Sequence, residues 1–236
     1  MQLNGTSQYF TRADGGAGDP TRGGDIELEC GAWVYLDRVP TSTQWFGIIS
    51  KAVGATPGTY SYSLDATNGY FRFVISSATT SKTIASAAVV AGQWYFVRGW
   101  HNPVTDTIHL VVNGVASTPV ATEGAFPQDA AHTFEIGRAF TDASLLFPGR
   151  IDQAYVKRGI SATVEATALR NNGKGVQWAE VGQGDLATWG EDVAGFWEFD
   201  NASNLGLDST ANGLNLTPTA SPLRGTGVNY LEGTVS

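Results

Sequence analysis

The chain has 236 residues, 15% of them charged, with 29 glycines and a net charge of -8 at pH 7. A chain of this length can bury a core without disulfide staples, and with Cys30 as its single cysteine it cannot form an internal disulfide. The acidic balance makes nucleic acid and anionic membrane surfaces poor partners. The opening "MQLNGTSQYF" lacks a basic region followed by an apolar stretch, so we expect no signal peptide.

Strand-like runs separated by turn signals fill residues 1 to about 158. "TYSYSLDATNGYFRFVIS" predicts a hairpin around an Asn-Gly turn, and "GQWYFVRGWHNPVTDTIHLVVNGVAS" predicts a three-stranded meander with a second Asn-Gly turn. "HTFEIGRAF" and "FPGRIDQAYVKRGI" complete the series. Many short strands at this spacing indicate a sandwich or a barrel.

One segment, "SATVEATALRNNGKG", breaks the strand pattern. Val164, Ala168 and Leu169 follow helical spacing, with Ser161 as the expected N-cap and an Asn-Gly pair to end the helix. We predict one short helix near residues 162–171. After it, "AGFWEFD" indicates a strand, and "DSTANGLNLT" a turn into a last strand.

These pieces resemble the laminin-G-like, concanavalin A-like jelly-roll superfamily. The likeness is carried by "LNGTSQYFTRAD", "IELECGAWVYL", "AGQWYFVRGWHNPVTDTIHLVVNG", "FPGRIDQAYVKRGIS" and "GFWEFD…DSTANGLNLT". The last piece commonly opens such a domain, whereas here it closes it, an order that resembles chains of tailed phages. The resemblance implies an all-β fold, a two-sheet antiparallel β-sandwich of the jelly-roll type with one short helix. We expect a single domain over 1–236, with 159–192 as a helix and loop connection and 220–236 as a C-terminal arm.

The stretch "DIELECGAWVYL" would place Asp25, Glu27 and Glu29 in a row on one face of a strand. Its spacing resembles the "E-x-D-x-E" strand of concanavalin-like glucanases, which implies a glycoside hydrolase using Asp25 and Glu29. Aspartate at the first position shortens the reach of one partner of such a pair. We favour a solvated row, with Cys30 and the other alternate apolar residues facing the core.

The resemblance also implies a calcium site near "D-S-x-G-N-G", with Asp152, Asp208 and Asn212 at the matching positions. Calcium takes oxygen ligands from carboxylates, amides and carbonyls. Gln153 stands where the family has an acid, which removes one charge. The alternative is that Asp208 and Asn212 only stabilise a turn through local backbone bonds.

Tryptophans in or beside loops are candidates for glycan binding, because sugar rings stack on flat apolar faces. The four candidates are Trp45, Trp100, Trp178 and Trp189. Trp33, Trp94 and Trp197 match strand positions of the family, and we expect them to pack in the core. The histidines share no metal-ligand spacing and no familiar catalytic motif occurs, so we expect no enzyme.

The leading interpretation is a non-catalytic virion structural protein of a phage, either a capsid decoration or a tail-associated protein. Its expected partners are other virion proteins, further copies of itself and surface glycans, with Phe140, Leu145, Leu146 and Tyr230 as contact residues. The alternatives are a carbohydrate-binding module of a secreted protein and the glycoside hydrolase. The expected location is therefore the virion, or the exterior of the cell for the secreted module.

Overall fold

The computed structural model describes residues 1–225. Its strands are β1 (Gln2–Asn4), β2 (Tyr9–Arg12), β3 (Leu28–Leu36), β4 (Trp45–Ala52), β5 (Tyr60–Thr67), β6 (Tyr70–Ser76), β7 (Ser81–Ala88), β8 (Trp94–Asn102), β9 (Thr107–Val112), β10 (Val115–Ala116), β11 (Val120–Ala121), β12 (Thr133–Ile136), β13 (Pro148–Arg158), β14 (Val193–Trp197) and β15 (Thr217–Thr219). The helix α1 spans Thr163–Arg170, and short 3-10 turns follow at Asn171–Gly173, Trp178–Glu180, Gly184–Leu186 and Trp189–Asp192.

Two antiparallel sheets pack face to face. The first has the order β1-β13-β3-β8-β9-β10, with β11 paired to β9 and β14 paired to β13. The second has the order β15-β2-β12-β4-β5-β6-β7. The predicted antiparallel jelly-roll sandwich with one short helix is confirmed.

The main core lies between the two sheets and uses alternate residues of β3. Leu28, Cys30 and Val34 are each at most 1% exposed there, which confirms the predicted burial of the thiol. Opposite Cys30 in the strand register stands Gly99 of β8. A Cβ at Gly99 would lie 2.5–2.7 Å from side-chain atoms of Phe73. Glycine at this position therefore lets the ring of Phe73 approach the first sheet.

The other face of the first sheet is covered by α1 and the turns that follow it. A second apolar cluster forms there from Trp33, Phe96, Tyr155, Leu169, Val176, Leu186, Trp189, Val193 and Phe196. The segment predicted as a helix and loop connection thus forms a cover over this face. As a consequence, β3 is buried on both faces over most of its length.

The helix lies within one residue of its predicted bounds at each end. The prediction of Ser161 as its N-cap was wrong, since the N-cap residue is Ala162. The backbone N–H of Ala162 donates to Glu165 Oε2 at 2.7 Å, and Asn171 ends the helix in a left-handed conformation with φ 42°. Ser161 lies beneath the helix instead, where its backbone N–H and its hydroxyl both donate to the buried carboxylate of Glu29.

The two ends of the described chain lie side by side. Strand β15 pairs with β2, and the Gln2 N–H donates to the Leu223 carbonyl at 2.8 Å. The first residues of the predicted arm therefore run along β1, and residues 226–236, with Tyr230, lie outside the described part. Among residues 1–225, no helix is both long enough and apolar enough to cross a bilayer.

The predicted contact surface is not exposed where the structure describes it. Phe140 and Leu146 are buried, and Leu145 is half-buried. Phe140 packs edge-on against Tyr60 at 5.0 Å and Trp45 at 5.6 Å between ring centroids. Assigning Phe140 and Leu146 to an exposed cluster was wrong, because this loop folds back and contributes a small core of its own.

Candidate functional site

The acid row predicted on β3 is not formed. Asp25 and Glu27 precede the strand, and Asp25 is exposed in a bend. Glu29 lies within β3 and is fully buried. The solvated-face prediction was therefore wrong for Glu29, because the helix and turns cover the face on which its side chain lies.

Glu29 is the centre of a saturated hydrogen-bond cluster. Its Oε2 accepts from Arg98 Nη1 at 3.0 Å and from the Ser161 N–H at 2.9 Å. Its Oε1 accepts from the Tyr155 hydroxyl at 2.6 Å and from Ser161 Oγ at 2.7 Å. Burial, and the nearby charge of Glu29, raise the pKa of Tyr155 well above its ordinary value, so this hydroxyl remains a donor. Glu29 therefore holds the cover on the sheet, and Asp25 does not pair with it at a substrate site.

Two of the four predicted glycan tryptophans belong to the cover. Trp189 is fully buried, and its indole N–H donates to Ser161 Oγ at 2.8 Å. Assigning Trp189 to glycan binding was therefore wrong. Trp178 is half-buried and its ring packs on Phe196 with 5.5 Å between centroids.

The other two candidates, Trp45 and Trp100, are half-buried, and neighbouring side chains pack against their rings. Trp100 lies parallel to His109, with 4.6 Å between ring centroids, and the guanidinium carbon of Arg98 is 4.5 Å from its ring centroid. Trp45 packs edge-on against Phe140. Trp100 lines a cavity of about 410 Å³ together with Arg98 and Arg170. Neither indole lines a second cleft on the outer face of the first sheet.

That cleft, of about 810 Å³, is lined by three aromatic side chains, and we call it the aromatic cleft. Tyr35 of β3 and Trp94 of β8 are directly opposite in the strand register, with ring centroids 5.7 Å apart. Both are half-buried. Trp33 also borders the cleft, but it is only 2% exposed, and its indole nitrogen is buried without a hydrogen-bond partner among the described residues. The flat, half-buried rings of Tyr35 and Trp94 can receive a sugar ring.

Polar side chains complete the aromatic cleft. They are Gln93, Asn113, Asn172, Arg150 and Arg170. Asn113 and Asn172 both adopt φ 51°, at the start of Asn-Gly turns. Arg170 Nη1 donates to the Asn113 carbonyl and ties these two turns together.

The aromatic cleft was not predicted from the sequence, because the family resemblance indicates only a packing role for Trp94. Trp94 does pack against the second apolar cluster, yet it also lines the cleft. A signal was present, since "ECGAWVYL" and "WYFVRGW" carry bulky residues at both alternate sets of positions. Such runs are typical of strands covered on both faces, and the cleft lies where that cover ends.

The residues predicted to bind calcium make other bonds. Asp208 accepts from the N–H groups of Phe196, Thr210 and Leu214 at 2.8–3.1 Å, and from the Thr210 hydroxyl. Asn212 donates to two carbonyls of β14. Asp152 lines a separate cleft, beside Glu198 and Asp200. Within residues 1–225 no group of three or more acidic, histidine or cysteine side chains could hold a metal ion, so the described arrangement does not fit the ion and calcium stays a prediction.

The sequence itself matches a known family. The model of the concanavalin A-like lectin/glucanases superfamily matches residues 30–162, more than half of the chain. The chain belongs to this superfamily, in agreement with the resemblance of its motifs. No curated protein matches the chain.

Solved structures share the fold at low sequence identity. A Bacteroides ovatus protein that has been assigned as carbohydrate binding matches with a TM-score of 0.61 and 14% identity, over 90% of this chain and 55% of its own. This chain thus spans about half of that relative's length. Mouse laminin α1 domains LG4-5 match with a TM-score of 0.49 and 14% identity, over 66% of this chain and 41% of theirs. A heptameric pentraxin of Limulus polyphemus matches with a TM-score of 0.48 and 13% identity, over 74% of this chain and 86% of its own.

These comparisons do not bear on every prediction. At identities this low a structural match shows the fold alone, and the laminin and pentraxin matches are too weak to carry any argument. The phage virion role, its virion partners and the location of the protein stay predictions.

Proposed function

We propose that this chain is a non-catalytic glycan-binding domain and that the aromatic cleft is its binding site. The sequence also allows this function, as an alternative to a virion role. Membership of a lectin and glucanase superfamily supports it. The fold match to a protein assigned as carbohydrate binding agrees with it.

The observation that carries the proposal is the pairing of Tyr35 with Trp94 in a cleft bordered by amide and guanidinium groups. Sugar-binding sites combine flat apolar surface with a few convergent hydrogen-bonding groups. The amides of Gln93, Asn113 and Asn172 can supply such groups from the rim. The Glu29 cluster lies on the same face of the first sheet, in the part that the cover buries.

The absence of a catalytic role rests on the carboxylates. Retaining glycosidases need two carboxyl groups about 5–5.5 Å apart, with one proton donor and one nucleophile. The aromatic cleft has no aspartate or glutamate among its lining residues within the described chain. Glu29, which the sequence offers as a catalytic carboxylate, is buried and accepts four hydrogen bonds from protein groups.

A glycan array tests the proposal with three proteins: the wild type, Trp94→Ala and Trp45→Ala. Trp45 is the matched control, a half-buried tryptophan of the second sheet. We expect the wild type and W45A to bind the same glycans, and W94A to bind them about tenfold more weakly, because losing one aromatic contact costs about 1.4 kcal/mol. The array presents many copies of each glycan, so weak single contacts become measurable.

Two results would contradict the proposal. One is that the wild type binds no glycan on an array that covers neutral and acidic structures. The other is that W94A, shown by circular dichroism to be folded, binds as tightly as the wild type while W45A does not.

A further inference from the structure

The charge of the aromatic cleft is opposite to that of the whole chain. The chain carries a net charge of -8. Arg150 and Arg170 line the cleft, and no aspartate or glutamate lines it in the part of the chain that the structure describes. Within residues 1–225 neither arginine forms an ion pair with a carboxylate. Two positive charges therefore line one cleft of an acidic molecule without a carboxylate in direct contact in the described chain, and the Gln2 amide that accepts from Arg150 also donates to Asp37 at 3.2 Å.

Arg150 is held in place by neutral groups. Its Nε donates to Gln2 Oε1 at 2.9 Å, and its guanidinium carbon lies 4.6 Å from the ring centroid of Tyr35. Stacking over the ring fixes the plane of the guanidinium. Because Tyr35 also lines the cleft, the same ring can contact a sugar while Arg150 contacts an acid group beside it.

Arg170 stands at the junction of two cavities. It lines the aromatic cleft and also a neighbouring cavity of about 410 Å³, together with Arg98. The charge of Arg98 is balanced by Glu29 at 3.0 Å, whereas the side chain of Arg170 donates to the neutral carbonyl of Asn113 and has no carboxylate partner among residues 1–225. Arg170 is half-buried and lies in the last turn of α1, where the helix dipole offsets part of its charge.

We propose that the ligand of the aromatic cleft is an anionic glycan, with carboxylated or sulfated sugar units bound by Arg150 and Arg170. This inference rests on the proposed glycan-binding function and names the class of glycan. Guanidinium groups bind planar or tetrahedral oxyanions through paired N–H donors. A half-buried guanidinium that is not paired with a carboxylate loses hydration, and an anionic ligand offsets that cost. The negative charge of the remaining surface disfavours long polyanions bound elsewhere.

The test uses matched pairs of oligosaccharides that differ only in charge. One pair is an oligogalacturonate and its methyl ester, and the other is a sulfated oligosaccharide and its desulfated form. The proteins are the wild type, Arg150→Gln, Arg170→Gln and Arg38→Gln, where Arg38 is an exposed arginine outside the cleft. Arg150→Lys keeps the charge but removes the fork of donors. Melting curves establish that each variant is folded.

We expect the acidic member of at least one pair to bind about tenfold or more tightly than its neutral partner, because hydrogen bonds to charged groups are stronger than those between neutral groups. R150Q and R170Q should each lose about tenfold in affinity for the acidic member, R150K should lose part of it, and R38Q none. The carboxylated and sulfated pairs distinguish the two kinds of acid group.

Equal binding of the acidic and neutral members would overturn this inference but leave the glycan-binding proposal standing. Binding of the acidic member that both R150Q and R170Q retain in full would also overturn it. Binding of no member of either pair, and of nothing on the wider array, would overturn both.

Discussion

The carboxylate of Glu29 and the guanidinium of Arg98 lie 3.0 Å apart, and both side chains are buried under the cover of the first sheet. Two residues further along β3, Gly31 leaves room for Tyr155, since a Cβ there would lie 2.7 Å from its ring and hydroxyl. The Tyr155 hydroxyl thereby reaches Glu29. Ser161, which precedes α1, donates to Glu29, and Trp189 of the later turns donates to Ser161, so this cluster joins both ends of the cover to the sheet.

Removing the Glu29 carboxylate should destabilise the protein strongly. In Glu29→Ala the buried charge of Arg98 loses its partner, and we expect the free energy of unfolding to fall by about 3–5 kcal/mol. Urea denaturation measures it, with the exposed residue Asp25 changed to Asn as the control. A loss in Glu29→Ala no larger than in D25N would show that the cluster does not hold the cover.

The thiol of Cys30 should be unreactive in the folded protein. Cys30 is 1% exposed, and its burial, with the nearby charge of Glu29, raises the pKa of the thiol well above its ordinary value. Since the thiolate is the reactive form, a thiol reagent should label the native protein only as fast as it unfolds and the denatured protein at once. Rapid, complete labelling of native protein would contradict the strand orientation described for β3.

A buried lysine near the end of β4, the central strand of the second sheet, contacts two aspartates. Lys51 is fully buried, with its Nζ 3.0 Å from Asp14 Oδ1 and 3.6 Å from Asp19 Oδ2. Arg22 lies 2.5 Å from Asp14 and Arg12 lies 2.7 Å from Asp19. The hydrogen bond from Arg22, together with those from Lys51 and a backbone amide, holds the pKa of Asp14 well below its ordinary value.

This cluster should make the protein sensitive to acid. A carboxyl group whose pKa is lower in the folded state contributes stability that is present above its unfolded pKa, about 3.9, and is lost as the pH falls toward its folded pKa. The free energy of unfolding should therefore decrease steadily below about pH 4. In Asp14→Asn that decrease should be shallower, by up to about 1.4 kcal/mol per pH unit for one proton. Urea titrations at several pH values measure the slope, and an unchanged slope in D14N would contradict the assignment.

Asp208 should matter for stability through its turn. It accepts hydrogen bonds from three backbone N–H groups and one hydroxyl, so Asp208→Asn should lower the free energy of unfolding by about 1–3 kcal/mol. Melting curves in calcium and in EDTA also decide the calcium prediction. If calcium raises the melting temperature of the wild type but not of D208N, the ion is bound there. Identical melting curves in calcium and in EDTA would show that Asp208 only stabilises its turn.

Local signals predicted much of the fold. The Asn-Gly turns at 68–69 and 113–114 have the positive φ angles that such pairs favour, and the helical spacing predicted α1. Strand β7, Ser81–Ala88, was not predicted, because this edge strand is rich in serine and alanine and shows no apolar alternation. The position of β7 in the sheet depends on its pairing with β6 rather than on the pattern of its own sequence.

The candidate site was harder to predict than the fold. Tyr35, Trp94, Arg150 and Arg170 come from four separate segments, and only the folded chain brings them to one cleft. Nothing in the local spacing distinguishes Trp94 at the uncovered end of the sheet from Trp189 beneath the cover. Which tryptophan is exposed depends on where the chain after α1 packs, and that is a tertiary property.

The indole N–H signals of the protein, observed by two-dimensional NMR during titration with the tightest glycan found on the array, test the central claim most directly. The chain has seven tryptophans, and single substitutions assign their signals. We predict that the signals of Trp33 and Trp94 shift with increasing glycan, because both residues line the aromatic cleft. The signal of Trp45, on the opposite sheet, should stay in place. Shifts of Trp45 with Trp33 and Trp94 unmoved would contradict the assignment of the aromatic cleft as the glycan site.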